Sequence, residues 1–193
     1  MARGAGGRRE REPPGTASPP PQRPDLRALV REIPDFPRPG IVFKDITPLL
    51  LAPDALRSAV TGLAEIAGPL EPDIVVAAEA RGFILGASLA LALGVGFVPA
   101  RKPGKLPHEV VRAEYALEYG LDAVEVHADA FAGGTRVLLH DDLLATGGTA
   151  RAVCQLAEHL GAEVVGCAFL IELRFLEGRR QLAPYPIRSL IEY

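Results

Sequence analysis

Apolar residues recur along the chain with helical spacing in some segments and as short strand-like runs in others. Helical spacing marks residues 25–33 and 53–67, and the second segment opens with Pro-Asp, a favourable helix start. Strand candidates are the apolar runs at 73–78, 96–100, 136–141 and 163–173, and helical stretches at 82–93 and 148–160 separate some of them. Strands alternating with helices predict an α/β domain built on a parallel twisted sheet flanked by helices.

The apolar periodicity weakens between Arg101 and Phe131, where charged residues and tyrosines become frequent. Loops of this length inside a compact domain are usually functional. The runs at 114–120 and 123–127 could pair as a hairpin at its far end. Ligands of α/β sheets lie beyond the carboxyl ends of the strands, so this edge of the predicted sheet is where we expect the site.

Length and composition fit one domain with a real core, because 48% of the 193 residues are hydrophobic. Residues 1–24 are Arg-, Gly- and Pro-rich and are expected to be a disordered tail, which leaves one domain at 25–193. The 21 Lys and Arg residues do not exceed the 24 Asp and Glu residues. This balance argues against a nucleic-acid partner and favours a small molecule.

Several features predict a cytoplasmic protein with no membrane partner. Cys154 and Cys167 lie among apolar neighbours without metal-ligand spacing, which is typical of free thiols in a reducing compartment. Residues 82–100 carry no charge, but Gly94 and Gly96 divide them into a helix and a strand rather than a membrane span. No apolar region follows the arginines of the tail, so a secretory signal is not expected.

The strongest motif covers residues 137–150, where a buried strand ends in two acids and a Gly- and Thr-rich turn opens a helix. Backbone N–H groups of such a turn and the helix N-terminus form a phosphate site. Asp141 and Asp142 can accept hydrogen bonds from vicinal sugar hydroxyls and help to place Mg²⁺. The alternative is that the acids merely cap the helix. The predicted phosphate-binding turn comprises Ala145, Thr146, Gly147, Gly148 and Thr149.

Two further motifs follow predicted strands. Arg81, in E-A-R-G-F after the strand at 73–78, offers a planar cation at a strand-to-helix turn and suits pyrophosphate. The segment 101–107, R-K-P-G-K-L-P, holds two of the three lysines of the chain. Alone it would be a solvated loop, but a mobile cationic segment can also close over a polyanion.

The segment 137–150 closely resembles the PRPP-binding motif of the type I phosphoribosyltransferases, and this resemblance implies their fold, with a small hood and a flexible loop over the site. It implies that Glu79, Ala80 and Arg81 form the pyrophosphate loop, often with a cis Glu79–Ala80 peptide. Residues matching Arg101 and Lys105 contact phosphates, in some members across a dimer interface. A homodimer and Mg²⁺ held mainly by PRPP are therefore expected.

The segment 36–48 resembles the hood of the adenine phosphoribosyltransferases, and the resemblance extends over residues 33–193. It implies that the backbone of Val42 reads the base edge, that Phe43 stacks on the ring and that Lys44 lies close by. The loop at 114–120 also has counterparts there, which makes Glu118 the candidate acid for the base proton and Tyr119 its neighbouring aromatic. A 6-oxo purine would oppose acceptor to acceptor in such a site.

The expected reaction is therefore that of a purine salvage glycosyltransferase, in which adenine and PRPP give AMP and pyrophosphate. Arg81, Lys105 and Glu118 are the expected catalytic residues. A phosphoribosyltransferase for guanine, xanthine or orotate is one alternative, and a non-catalytic PRPP-binding regulator is another. A nucleic-acid regulator would need a basic face beyond the tail. His140 stands where the family commonly has an aliphatic residue, and packing is favoured over tuning of Asp141.

Overall fold

The structure, a computed structural model, describes residues 23–117 and 120–193, without the side chains of residues 116–121. The tail expected to be disordered at residues 1–24 lies outside the described residues except for Arg23 and Pro24, and Arg23 pairs with Glu65. The assignments of Glu118 and Tyr119 fall on the inner gap and also lie outside the described residues. The division into tail and domain stays a prediction.

Five parallel strands form the central sheet, and their bounds are β3 Ile74–Ala78, β4 Gly96–Ala100, β7 Arg136–Leu144, β8 Glu163–Glu172 and β9 Ile187–Glu192. Their order across the sheet is β4-β3-β7-β8-β9. The first four occupy the predicted runs, since branched apolar residues buried on both faces suit a parallel sheet. The predicted α/β fold class is thus confirmed, but β9 was not predicted. Its inward-facing residues are few, chiefly Ile187 and Ile191.

Helices cover both faces of this sheet, and each face has its own apolar core. The helices are α1 Thr47–Leu51, α2 Pro53–Ala67, α3 Gly82–Leu93 and α4 Gly148–His159. Helices α1, α2 and α3 pack on one face, where residues such as Leu63, Leu85 and Leu138 are fully buried. Helix α4 packs on the other, around Val153 and Phe169. The edge of the sheet at the carboxyl ends of β3 and β7 therefore lies between these two layers of helices.

Two antiparallel hairpins lie outside the sheet. Strands β5 Val110–Leu117 and β6 Gly120–His127 form the first, which packs on α4. A hairpin was expected here from pairing of residues 114–120 with 123–127, but the chain reverses between Leu117 and Gly120, inside the run expected to be the first strand. Strands β1 Arg31–Pro34 and β2 Val42–Asp45 form the second, which is the hood.

The helix predicted at 25–33 is wrong beyond its first turn. Only Arg27–Leu29 is helical, as a single 3-10 turn, and β1 begins at Arg31. Two causes explain this difference. Pro34 biases the residue before it towards extended backbone, and pairing with β2 supplies the hydrogen bonds that a helix would have supplied.

The uncharged stretch 82–100 folds as a helix and a strand, α3 and β4, as predicted. Among the described residues, no helix combines the length and the apolar character that crossing a membrane requires. Both cysteines are buried free thiols, with their Sγ atoms 3.8 Å apart between α4 and β8.

Candidate active site

The acidic pair lies at the carboxyl end of β7. The Asp142 side chain is 6% exposed, and one carboxylate oxygen lies 2.8 Å from Nε of Arg81. Asp141 turns back and accepts the Asp142 backbone N–H at 2.9 Å. Burial, and next the charge of Asp142, raise the pKa of Asp141. Burial also raises the pKa of Asp142, although Arg81 opposes this effect. The pair thus forms a small carboxylate cluster that one cation already faces.

The predicted phosphate-binding turn joins β7 to α4. Gly147 has φ +87°, a left-handed conformation that is strained for residues with a side chain, and α4 begins at the next residue. The first N–H groups of α4 have no acceptor within the helix and so point to the turn. Thr146 is exposed, whereas Gly147 is buried. This geometry suits an anion with several oxygens.

Arg81 connects the predicted segments. Its guanidinium lies 4.7 Å from the centroid of the Phe43 ring, and its Nε faces Asp142. The loop that carries it follows β3 and contains a cis peptide between Glu79 and Ala80, as the resemblance implied. One side chain therefore joins the hood, the pyrophosphate loop and the acidic pair at a single sheet edge.

The hood residues divide between the two faces of β2. Val42 is 46% exposed, and the Phe43 ring meets Phe36 edge-on with centroids 5.2 Å apart. Neighbouring residues of a strand point to opposite faces. Accordingly, Lys44 is buried away from Phe43, where it pairs with Glu32 and lies 3.7 Å from the Tyr193 ring centroid. The structure brings Phe43 to Arg81 and leaves the Lys44 ammonium on the far side.

Residues 101–107, called the cationic segment, contact Glu79 through two cations and a backbone N–H. This carboxylate receives Lys105 Nζ at 2.8 Å, Arg101 Nη2 at 3.3 Å and the backbone N–H of Lys102 at 3.0 Å. These contacts, led by Lys105, lower the pKa of Glu79 from 4.5 to about 2. The two cations predicted to contact phosphates thus share one internal anion.

The hairpin fixes the other side of this segment. Glu125 of β6 exchanges backbone hydrogen bonds with Arg101, both at 2.8 Å, and its buried carboxylate accepts the N–H of Gly104 at 2.9 Å. Lys102 turns towards the hairpin and pairs with Asp122 and Tyr115. The cationic segment is therefore held between the end of β3 and β6.

His140 packs within the sheet. It is fully buried, its strand neighbours are Ala77 and Ala168, and its ring nitrogens make no hydrogen bond of good geometry among the described residues, although the Ala168 backbone slightly favours the protonated ring. Burial lowers the pKa of His140 to about 4, so the ring is neutral at pH 7. The large ring fills the space left by two alanines, in accord with the favoured packing role.

Sequence reasoning missed Glu125 and Glu172. Each carries a signal that could have found it, namely an acid inside an otherwise apolar run, A-V-E-V and L-I-E-L. A buried acid needs a partner, and a run of this kind predicts one. Nothing in the sequence signals that Gly178 contacts the turn at Ala145.

Comparison with known proteins identifies relatives of the chain. The phosphoribosyl transferase domain family matches residues 54–185. The adenine phosphoribosyltransferase of Rubrobacter xylanophilus is 58% identical over 87% of the chain and 91% of its own length. The crystal structure of the Thermoanaerobacter pseudethanolicus enzyme has a TM-score of 0.86 at 52% identity, and covers 88% of the chain and 98% of its own.

A more distant structure carries ligands. The adenine phosphoribosyltransferase of Saccharomyces cerevisiae was solved with adenine and an imino-altritol bisphosphate. It is 40% identical, with a TM-score of 0.79, and covers 84% of the chain and 94% of its own.

Proposed function

The chain belongs to the adenine phosphoribosyltransferase family, and on that premise we propose a role for each residue at the open sheet edge. The enzyme transfers the 5-phosphoribosyl group of PRPP to adenine in purine salvage, giving AMP and pyrophosphate. The observation that carries the residue assignment is the position of Arg81, which contacts both Phe43 and Asp142. Base, ribose and pyrophosphate subsites consequently meet around one side chain.

PRPP is placed by three segments. Its 5-phosphate binds the turn from Ala145 to Thr149, whose N–H groups and helix end favour an anion. Its ribose hydroxyls donate hydrogen bonds to Asp141 and Asp142, because an ionised carboxylate can accept hydrogen bonds but cannot donate them. Its pyrophosphate displaces Glu79 from Lys105 and Arg101 and takes Arg81 as a third cation.

Adenine stacks on Phe43. The guanidinium of Arg81 lies 4.7 Å from the centroid of this ring, which supports the assignment because adenine, also a planar group, would take its place when Arg81 turns to pyrophosphate. Stacking contributes only about 0.5–1.5 kcal/mol and accepts any flat base. Selection of adenine therefore rests on hydrogen bonds to the backbone of Val42, a residue that is 46% exposed.

Catalysis consists of positioning and electrostatic stabilisation. The bond to pyrophosphate breaks ahead of attack, the cations stabilise the negative charge that develops on the leaving group, and N9 of adenine attacks the opposite face of the ribose. Glu118, outside the described residues, is proposed to manage the proton of the base.

Mg²⁺ is the proposed cofactor. The two acids fit this ion, which binds through one or two carboxylates together with substrate phosphates. Among the described residues, no cluster of three or more His, Cys, Asp or Glu side chains is arranged to hold a metal. Asp141 and Asp142 would hold the ion together with the phosphates of PRPP, and the bound ion would neutralise charge on the leaving group.

A homodimer in the cytoplasm is also proposed. Helix α3 is apolar around its whole circumference, yet Ile84 is 47% exposed and Leu91 is 83% exposed. A second copy of the chain would cover these residues. Cys154 and Cys167 form no disulfide although their Sγ atoms lie 3.8 Å apart, and such free thiols suit a reducing compartment.

A base panel tests the residue assignments and the reaction together. Pyrophosphate release from PRPP is measured with adenine, guanine, hypoxanthine, xanthine and orotate, each with and without Mg²⁺. We expect release with adenine and Mg²⁺, and at least a hundredfold less with 6-oxo purines, on the order that mismatched buried hydrogen bonds produce. Equal release with hypoxanthine would contradict the assigned base site, and no release with any base would contradict the reaction.

A further inference from the structure

A segment near the C-terminus packs directly against the predicted phosphate-binding turn. Residues 174–182, here called the backing segment, contain two short 3-10 stretches between β8 and β9. A Cβ at Gly178 would overlap the carbonyl oxygen of Ala145 and lie 2.9 Å from Leu144 Cδ1. A Cβ at Gly147 would lie 2.7 Å from the carbonyl oxygen of Gly178. The turn and the backing segment therefore meet backbone to backbone.

A buried carboxylate holds the backing segment in place. Glu172 is 2% exposed, and Arg179 donates to its two oxygens from Nε at 2.5 Å and Nη2 at 2.6 Å. Ser189 of β9 donates to it as well, at 2.6 Å. Burial acts to raise the pKa of Glu172, but the hydrogen bonds from Arg179 and Ser189 outweigh it and the pKa lies below its usual range. A two-pronged pair of this kind fixes orientation as well as distance.

The same carboxylate belongs to the strand beside the turn. Glu172 is the register partner of Leu144, the last residue of β7, and the N–H of Leu173 donates to Leu144 at 2.9 Å. On the other side, Arg151 of α4 donates to the carbonyl of Gln181 at 3.1 Å. The backing segment is thus attached to both elements that the turn connects.

We propose that Arg179 is a positioning residue for PRPP, because its fork on Glu172 holds Gly178 against Ala145 and so sets the backbone geometry of the phosphate-binding turn. Arg179 acts through the turn and does not touch the substrate. The inference rests on the proposed function, since it presumes that the 5-phosphate binds at this turn.

The test compares Arg179→Gln with Arg180→Gln. Arg180 is the matched control, because its side chain is 78% exposed and pairs only with the exposed Glu177 among the described residues. The measurements are kcat, the KM values for PRPP and adenine, and the melting temperature. We expect Arg179→Gln to raise the KM for PRPP about tenfold, the order that slight misplacement of a binding group produces, with the adenine KM within about twofold. Arg180→Gln is expected to match the wild type in all four.

Two further variants separate positioning from general stability. Arg179→Lys keeps the charge but loses the fork, so its KM for PRPP should fall between those of the wild type and Arg179→Gln. Gly178→Ala changes the contact itself and should raise the same KM even if Arg179→Gln does not fold. When Arg179→Gln and Gly178→Ala are combined, their effects on the KM for PRPP should be less than additive, because both act through the contact between Gly178 and Ala145.

The proposal is overturned if Arg179→Gln lowers the melting temperature while the KM for PRPP stays at the wild-type value, or if Gly178→Ala leaves that KM unchanged. Failure of the proposed function would look different. In that case the wild-type protein itself would release no pyrophosphate from PRPP and adenine.

Discussion

The phosphate-binding turn and the cationic segment are both proposed to bind phosphate groups, but different interactions hold the two regions in place. The turn is fixed by backbone packing, with Gly147 against Gly178 and no room for a side chain between them. The cationic segment is fixed by charge, with Arg101 and Lys105 on Glu79. On the proposed assignment, the first site is complete before substrate arrives, whereas the second exchanges an internal anion, Glu79, for the substrate.

This difference separates binding from catalysis. A preformed turn costs little reorganisation and suits the 5-phosphate, which is unchanged by the reaction. Arg101 and Lys105 are proposed to move from Glu79 to pyrophosphate, where negative charge develops during the reaction. They should therefore stabilise the transition state more than the bound substrate. Variants that touch each region should accordingly change different kinetic constants.

The largest effect is expected at the acidic pair, which directly precedes the turn and faces Arg81. Asp142→Asn removes the charge that faces Arg81 and replaces one of the two carboxylate oxygens proposed to accept from the ribose hydroxyls with an amide donor. We expect kcat/KM for PRPP to fall at least about a hundredfold, with the fold retained, as shown by circular dichroism. Asp54→Asn is the control, because Asp54 is 88% exposed on α2. Near-normal kinetics for Asp142→Asn would refute the role in sugar binding.

A smaller effect is expected where the hairpin holds the cationic segment. Glu125→Ala removes the acceptor of the Gly104 N–H, and because Gly104 is exposed, water can replace that acceptor and the cost is about 0.5–1.5 kcal/mol. We expect kcat to fall about tenfold, with a smaller change in the KM for PRPP. Glu125→Gln keeps an acceptor and should restore most of kcat. Loss of activity in Glu125→Gln equal to that in Glu125→Ala would mean that charge, not this hydrogen bond, matters.

Glu79 provides a test by pH. Because Lys105 and its neighbours lower the pKa of Glu79 from 4.5 to about 2, the unfolded chain takes up this proton first as the pH falls. The stability that Glu79 contributes is therefore complete above pH 4.5 and is lost as the pH falls through about 2. Urea unfolding of the wild type and of Glu79→Gln across this range should show a difference that shrinks with acid. A constant difference would place the ion pairs elsewhere.

The smallest effect is expected at His140, which lies next to the acids yet only fills space. His140→Leu should leave kcat and both KM values within about twofold, since neutral rings without hydrogen-bond partners contribute mainly packing. Steady-state kinetics at pH 7 check this. A tenfold change in the KM for PRPP would show that His140 tunes Asp141.

The two regions also differ in how far the sequence predicts them. The acids and the Gly-rich turn are contiguous, and local chemistry alone indicates a phosphate site. Pairing of Glu79 with Lys105, 26 positions away, depends on where β3 and β4 end in space. Gly178 against Ala145 depends on the course of a segment with no periodic pattern.

The hood shows the same limit. Its residues were recognisable, but the side on which each lies depends on strand register, and one residue of β2 faces Arg81 while the next faces Tyr193. Register in a hairpin follows from its turn and its packing rather than from propensity. The helix predicted at 25–33 failed for the same reason, because pairing with β2 outweighed helical spacing.

The central claim, that the acidic pair and the turn behind it grip a phosphorylated ribose, is tested most directly by a crystal structure with PRPP and Mg²⁺. We expect the 5-phosphate on the backbone N–H groups of residues 145–149, the ribose hydroxyls within hydrogen-bond distance of Asp141 and Asp142, and Lys105 moved from Glu79 to the pyrophosphate. A 5-phosphate bound elsewhere, with the turn empty, would contradict the account.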